Sequence, residues 1–460
     1  MAKKTGPPPS ALTPALRARV ETGRDRRASV PLESHAEVSV PEVRPDPVQI
    51  LLAQDEGRVA SLVPIRHARM NATPFTFFRG AAAIMASDLS RGASSGLTVQ
   101  LCGDAHLSNF GLFNGADRRL VFDVNDFDET LPGPFEWDLK RLAASVSIAA
   151  RHNGLAPKEA RTATRAAVRG YRKAIAASVV VSPLDLLYYR VDVARYLEER
   201  EELHKGSRRE IDKASRKDSL RALAKLTEVV DGRRRIVPSP PLIVPLGEEL
   251  GEPDAARIRT FFDRYRQSLP PYRAAVIDRY RFLDLAHKVV GVGSVGTRCF
   301  IVLLESDGGA PLFLQFKEAT RSVLEPFLGP SQYAHSGERV VQGQRSMQAT
   351  GDVLLGWSHA EADGRTVEFY LRQLWDGKAS AAVDEMGPKR LKRYAALCGG
   401  TLALAHARTG DAAAIHGYLG EDRTADDVFA DFAERYADLN ESDHAAHAEA
   451  IRAGRVAVAE

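Results

Sequence analysis

Between residues 289 and 375 the apolar pattern of this chain changes its period, and that change limits the architecture more than any other feature. Before and after it, apolar residues recur at about 3.6-residue spacing and read as amphipathic helices. Inside it, apolar runs at 299–304, 312–316, 353–357 and 367–374, with a turn at Ser306-Asp307-Gly308-Gly309, predict a small antiparallel sheet. One helix, at 337–349, interrupts the strands. The pattern therefore predicts an α+β fold, and 460 residues are too many for a single core, so more than one lobe is expected.

Upstream, prolines at 7, 8, 9, 14, 31, 41 and 45 make the opening residues an arm. From Pro74 a helix runs toward two apolar strands, at 97–101 and 120–124, joined by a polar loop. Residues 135–230 read as helices broken at Asn153-Gly154 and Ser182-Pro183. Within 205–235, eleven Lys or Arg face five acids, either as a solvated helix face or as a surface for an anionic partner.

The net charge is only +3, so no global field drives the chain onto nucleic acid or membrane, and neither is an expected partner. Three scattered cysteines, Cys102, Cys299 and Cys398, form no CxxC pair and exclude a thiolate zinc cluster. No apolar stretch approaches the roughly 20 residues of a spanning helix, and the opening segment has no apolar core of a signal peptide. A cytoplasmic location is the expectation.

Three segments carry chemistry. In Gly103-Asp104-Ala105-His106-Leu107-Ser108-Asn109 an acid and an amide stand five residues apart in a loop after a strand. Phosphoryl transfer uses such a pair, the carboxylate taking the hydroxyl proton and the amide oxygen holding a metal, although turn chemistry uses it too. Next, the strand ending in Asp123 delivers Asp126, Asp128 and Glu129, which repel one another unless a cation sits among them, and hard oxygens favour magnesium or manganese. Third, Gly291-Val292-Gly293-Ser294-Val295-Gly296 precedes the β-branched run at 297–304, so it reads as a glycine hairpin and not as the helix start of a dinucleotide fold. Lys317 ends the following strand, where alternation puts Phe313, Gln315 and Lys317 on one face. A lysine there holds phosphates if a helix carboxylate fixes its ammonium; Glu338 is the choice, with Glu325 in reserve.

Together these pieces resemble the protein-kinase-like fold, in particular the aminoglycoside and choline-type phosphotransferases. The resemblance rests on Gly103-Asp104-Ala105-His106 with Asn109, then Asn125-Asp126-Phe127-Asp128, then Gly133-Pro134-Phe135-Glu136-Trp137-Asp138-Leu139. It implies a base at Asp104, magnesium ligands at Asn109 and Asp126 with Asp128 beside them, and a bracing acceptor at Asp138. It also implies ATP contacts at Gly291, Gly293, Ser294, Gly296, Lys317 and Glu338. The segments VQLCGDAHLSNFG, FDVNDFDETLPGPFEWDLKRLA and QFKEATRSVLEP are also similar to a bacterial family known only as domain of unknown function 2252.

In kinases the glycine loop comes first; here it follows the catalytic and metal loops. The resemblance therefore implies a circularly permuted, two-lobed fold. Residues 1–70 form the arm, 71–285 the helical lobe with the catalytic and metal loops, 286–376 the small nucleotide lobe, and 377–460 the helices that complete the helical lobe. Residues 373–376 take the place of the adenine hinge. The expected function is ATP- and magnesium-dependent phosphoryl transfer to a small hydroxylated molecule, since the interval from Asp126 to Asp138 leaves no room for a peptide-positioning segment. Alternatives are nucleotidyl transfer at the same site, a non-catalytic nucleotide-binding regulator, and a metal-dependent hydrolase with His106 or His406 as ligands.

Overall fold

The computed structural model describes residues 12–38, 44–193, 226–230, 232–240, 242–246, 252–289, 291, 293, 295–362, 364–374 and 379–459. Its centre is the helix Phe135–His152, whose residues from Phe135 to Ala150 are all buried. Helices Pro157–Ser178, Pro388–Thr409 and Thr424–Arg452 pack around it. One apolar cluster joins Leu142, Val168 and Ile175 to Leu402, Ile415 and Phe432, so helices from both sides of the sheet region share a core. A close crossing of two of these helices is permitted by Gly399, where a Cβ would lie 2.0 Å from the Ala167 carbonyl oxygen.

Short strands on this body carry the polar loops. β1 (Thr98–Leu101) leads into a loop and then β2 (Phe110–Asn114), β3 (Leu120–Val124) and β4 (Leu131–Pro134). β1 pairs antiparallel with β4, and β2 with β3, so the loops after β1 and β3 emerge side by side. β5 (Val191–Asp192) extends the β2–β3 sheet. β6 (Thr227–Val230) and β7 (Arg233–Ile236) form a hairpin where the sequence predicted helix. The rest of the basic stretch, 205–225, lies outside the described residues.

The larger sheet is antiparallel and six-stranded, built from β8 (Ile243–Pro245), β9 (Tyr280–Lys288), β10 (Cys299–Ser306), β11 (Pro311–Glu318), β12 (Gly356–Ala362) and β13 (Arg365–Gln373). The order is β12-β13-β11-β10-β9-β8, and a short β14 (Ala379–Ser380) returns to pair with β2. The predicted alternation along β11 holds. Leu312, Leu314 and Phe316 pack on Phe261 and Tyr265 of the helix Glu252–Gln267, while Phe313 belongs to a separate cluster on the other face. The helix between the strands runs Ser336–Met347.

One expectation is corrected. The sheet begins well before residue 286, since β8 and β9 and the helix on its back face come from the segment assigned to the helical lobe. Arg281, Asp284 and His287 recur every three residues in β9 and imitate the polar face of a helix. The described part of the first seventy residues packs on the helical body. Among the described ones, Pro14–Ser29 is a helix packed on Ala412–Leu419, and Val63–Asn71 docks on the last long helix through a 2.9 Å contact of His67 Nδ1 with His447 Nε2. The three cysteines are free and buried. No helix among the described residues is long and apolar enough to cross a membrane.

Asp123 in β3 is buried, and that burial pushes its carboxyl up to about 6 despite Arg408 nearby. A raised folded-state value means that burial of the charged form weakens the fold above pH 6 and has no effect below the unfolded value near 4. Asp123→Asn keeps an oxygen for the Val124 N–H and is expected to stabilise by about 1–3 kcal/mol at pH 7, a gain that fades in urea titrations as pH falls from 6 to 4.

Candidate functional site

The loop after β1 is shaped from below. Gly103 has φ +82°, and a Cβ there would lie 2.4 Å from the Glu129 carbonyl oxygen, so no other residue fits. Asp138, in the first turn of the central helix, accepts from the Cys102 N–H at 2.8 Å and the Gly103 N–H at 3.0 Å. His406 Nε2 lies 3.2 Å from the same carboxylate, and Tyr171 Oη is 2.8 Å from His406 Nδ1. Of the two histidines considered as metal ligands, His406 is thus engaged by Asp138 and Tyr171, whereas His106 lines the cleft with its Nε2 3.6 Å from Asp104 Oδ2, and burial and then Arg79 and Arg141 hold it well below its ordinary pKa.

Asp104 sits at the loop's apex. Its carbonyl accepts from the His106 N–H at 2.8 Å and from Asn109 Nδ2 at 2.8 Å. The amide nitrogen of Asn109 is used there, which leaves its oxygen as the atom for a metal. Asn125 N–H donates to the Asn109 carbonyl at 2.8 Å and ties this loop to the acidic one. Asp104 Oδ1 receives Arg141 Nε at 2.5 Å, one helical turn beyond Asp138. Burial raises the Asp104 carboxyl above the ordinary carboxylate range, with Arg141 pulling against it.

The acidic segment meets the sheet across the cleft. Lys317 Nζ donates to Asp128 Oδ2, and Tyr370 Oη donates to Asp128 Oδ1 at 2.9 Å. Lys317 and Tyr370 are register partners in β11 and β13, so the sheet presents both to one carboxylate. Burial alone would lower the Lys317 ammonium, but Asp126 and Asp128 overcome it and hold it well above its usual value and charged. Arg339 donates to the carbonyls of Asp128 and Thr130 at 2.7 Å and of Thr320 at 2.8 Å. Burial also raises Glu129, whose Oε2 accepts from the Val323 N–H at 2.8 Å.

The glycine segment connects β9 to β10 and leans on the N-terminal region. Val59 N–H donates to the Gly296 carbonyl at 2.8 Å, Arg58 Nη1 to that of Val295 at 2.5 Å, and Arg69 Nη1 to that of Gly291 at 2.6 Å. A cavity of about 110 Å³ lies between these parts, walled by Asp104, Asn109, Asp126 and Asp128 on one side and Gly291 and Gly293 on the other. Arg58 and Arg79 enter it from the N-terminal region, and Glu318 from β11.

The cleft thus brings together Asp104, Asn109, Asp126, Asp128, Gly291 and Gly293, while Lys317 is buried behind Asp128 and does not itself line the cavity. Gly296 rests against Arg58, and Val292, Ser294 and residues 375–376 lie outside the described residues. Glu338 is corrected: its N–H faces His335 Nδ1 at 3.3 Å, and Lys317 is held by Asp128 instead. Glu325 caps its own turn through Ser322 and Arg321. The residue of that helix that reaches the site is the neighbouring Arg339. Sequence reasoning also missed Arg58, Arg79, Arg141 and Glu318; only Arg141 left a signal, its three-residue spacing from Asp138.

Among the described residues, no cluster of three or more His, Cys, Asp or Glu is arranged to hold a metal alone. Asn109 and Asp126 both line the cleft, and their hard oxygens are of the donor type that magnesium takes.

A family model described as an uncharacterized protein conserved in bacteria (DUF2252) matches residues 58–450. Comparison with the curated proteins and with the solved structures found no match.

Because Asp138 is the acceptor for two buried N–H groups, Asp138→Ala is expected to destabilise the protein by about 3 kcal/mol or more. A midpoint in urea unchanged from wild type would contradict this bracing role.

Proposed function

We propose that this chain, which belongs to the bacterial DUF2252 family of uncharacterized proteins, is an ATP- and magnesium-dependent phosphotransferase with a kinase-like, circularly permuted lobe order. The observation that carries the reading is the contact of Lys317 with Asp128, two residues 189 positions apart. It sets a lysine that follows a glycine hairpin against an acidic loop, with Asp104 and Asn109 on the same cavity. Those are the parts that phosphoryl transfer requires, and spatial arrangement matters there more than chain order.

In this reading the hairpin at 291–296 covers the phosphates and Lys317, released in part from Asp128, neutralises their charge. Asn109 and Asp126 would hold magnesium, which screens the repulsion between phosphate oxygens when bound. Asp104 accepts the proton of the acceptor hydroxyl and is aimed by Arg141. The acceptor is a small molecule: residues 131–134 form β4 directly and enter the central helix, so the stretch that positions peptides in protein kinases has no counterpart.

The test has two parts. Calorimetry with ATP and magnesium should show binding in wild type and, within about threefold, in Asp104→Asn, whereas ATP consumption in the variant should fall by about 10²–10⁴. Retained turnover would remove Asp104 as the base. Since the base must be ionised and burial raises its pKa, turnover should fall on acidification at a pH above the usual carboxylate range. Arg141 favours the ionised form, so Arg141→Gln should move that acid limb to higher pH; a limb that stays put or moves down would contradict the assignment.

A further inference from the structure

The arginines around the cleft differ in one respect. Arg58, Arg141, Arg298, Arg339 and Arg372 each donate to a carbonyl, carboxylate or amide oxygen of the protein. Arg79 does not. Its Nε is buried with no hydrogen-bond partner, and among the described residues its guanidinium forms no ion pair, although it lines the cavity.

Its mount is rigid. Arg79 is next to last in the helix Pro74–Gly80, which a Thr73–Thr76 capping box starts and the buried Phe75, Phe77 and Phe78 anchor. The hairpin passes directly over it, since a Cβ on Gly293 would lie 3.1 Å from the Arg79 carbonyl oxygen. The fields that act on the guanidinium come from Asp104, Asp384 and Asp126. Arg79 therefore stands between the hairpin and the two acids assigned to the reacting end of the nucleotide. Arg79 is half-buried, its Nε shut away without a partner while the side chain lines the cavity, and a guanidinium placed so suits an anionic ligand that the protein itself does not supply.

We propose that Arg79 is a catalytic residue that grips the terminal phosphoryl group of the nucleoside triphosphate during its transfer. The inference rests on the phosphotransferase reading and extends it to a cation supplied by the chain's own N-terminal region. As the acceptor oxygen bonds to the γ-phosphorus, its proton passes to Asp104. The bond from that phosphorus to the β–γ bridging oxygen breaks, and its electron pair leaves with the nucleoside diphosphate. Charge on the equatorial oxygens in the transition state is what a guanidinium stabilises.

The experiment compares full-length wild type, Arg79→Gln and Arg79→Lys by calorimetry, each with magnesium and either ADP alone or ADP with aluminium fluoride, which mimics the group in flight. Wild type should bind the fluoride complex at least about tenfold more tightly than ADP. Arg79→Gln should bind ADP as wild type does and lose that preference, and Arg79→Lys should keep part of it. Without nucleotide, Arg79→Gln should melt at or above the wild-type temperature, since it removes a half-buried charge that forms no ion pair among the described residues. A folded Arg79→Gln that keeps the preference overturns the proposal, as does one that melts lower and binds both ligands equally weakly, the behaviour of a structural residue. If wild type binds neither ligand, the phosphotransferase reading fails and the proposal with it. If wild type binds and only the variant result disagrees, the reading stands and the role of Arg79 falls.

Discussion

The contact between Lys317 and Asp128 holds the two halves of the cleft in register. Both partners are charged, the lysine is almost wholly buried, and Tyr370 occupies the second oxygen of the carboxylate. Losing one member of such a pair costs about 3–5 kcal/mol because the other charge stays behind. Arg339 adds a second tie at the same place by binding the carbonyls of Asp128 and Thr130. The acidic loop is thereby fastened to the six-stranded sheet through the Asp128 side chain and to the helix Ser336–Met347 through its backbone, and what the loop carries inherits its position from both.

The electrostatic pattern follows from this junction. Asp104, Asp126, Asp128, Glu129 and Glu318 converge on a small volume, and burial raises Asp104 and Glu129. Lys317 and Arg141 each neutralise one acid by direct contact, and Arg58 and Arg79 enter from the N-terminal region. A site built this way favours a ligand that carries negative charge together with the cations that balance it. The N-terminal region also shapes the opposite wall, because Arg58, Val59 and Arg69 all donate to the glycine segment.

Much of this was legible where local chemistry decides structure. The loop from Gly103 to Asn109, the strand that delivers Asp126 and Asp128, and the side of β11 that carries Lys317 follow from turn residues, clustered charge and period-two alternation. What depends on tertiary contact was not legible. Glu338 and Arg339 are adjacent on one helix, and only the packing of that helix against Thr130 and Thr320 selects the arginine. Strand β9 was hidden because its charges recur with helical spacing, and the helix Pro14–Ser29 because the flanking prolines suggest an arm when one of them begins the helix. Arg79 has no distinguishing neighbour in sequence, and its importance appears only once the hairpin lies over it.

The most direct measurement is a crystal structure of the protein with magnesium and a non-hydrolysable ATP analogue. The account predicts a triphosphate lying between the glycines at 291–296 and the acids at 126–128, with the Lys317 ammonium turned from Asp128 toward its oxygens. A nucleotide bound elsewhere, or a cleft that stays empty at saturating nucleotide with Lys317 still on Asp128, would contradict it.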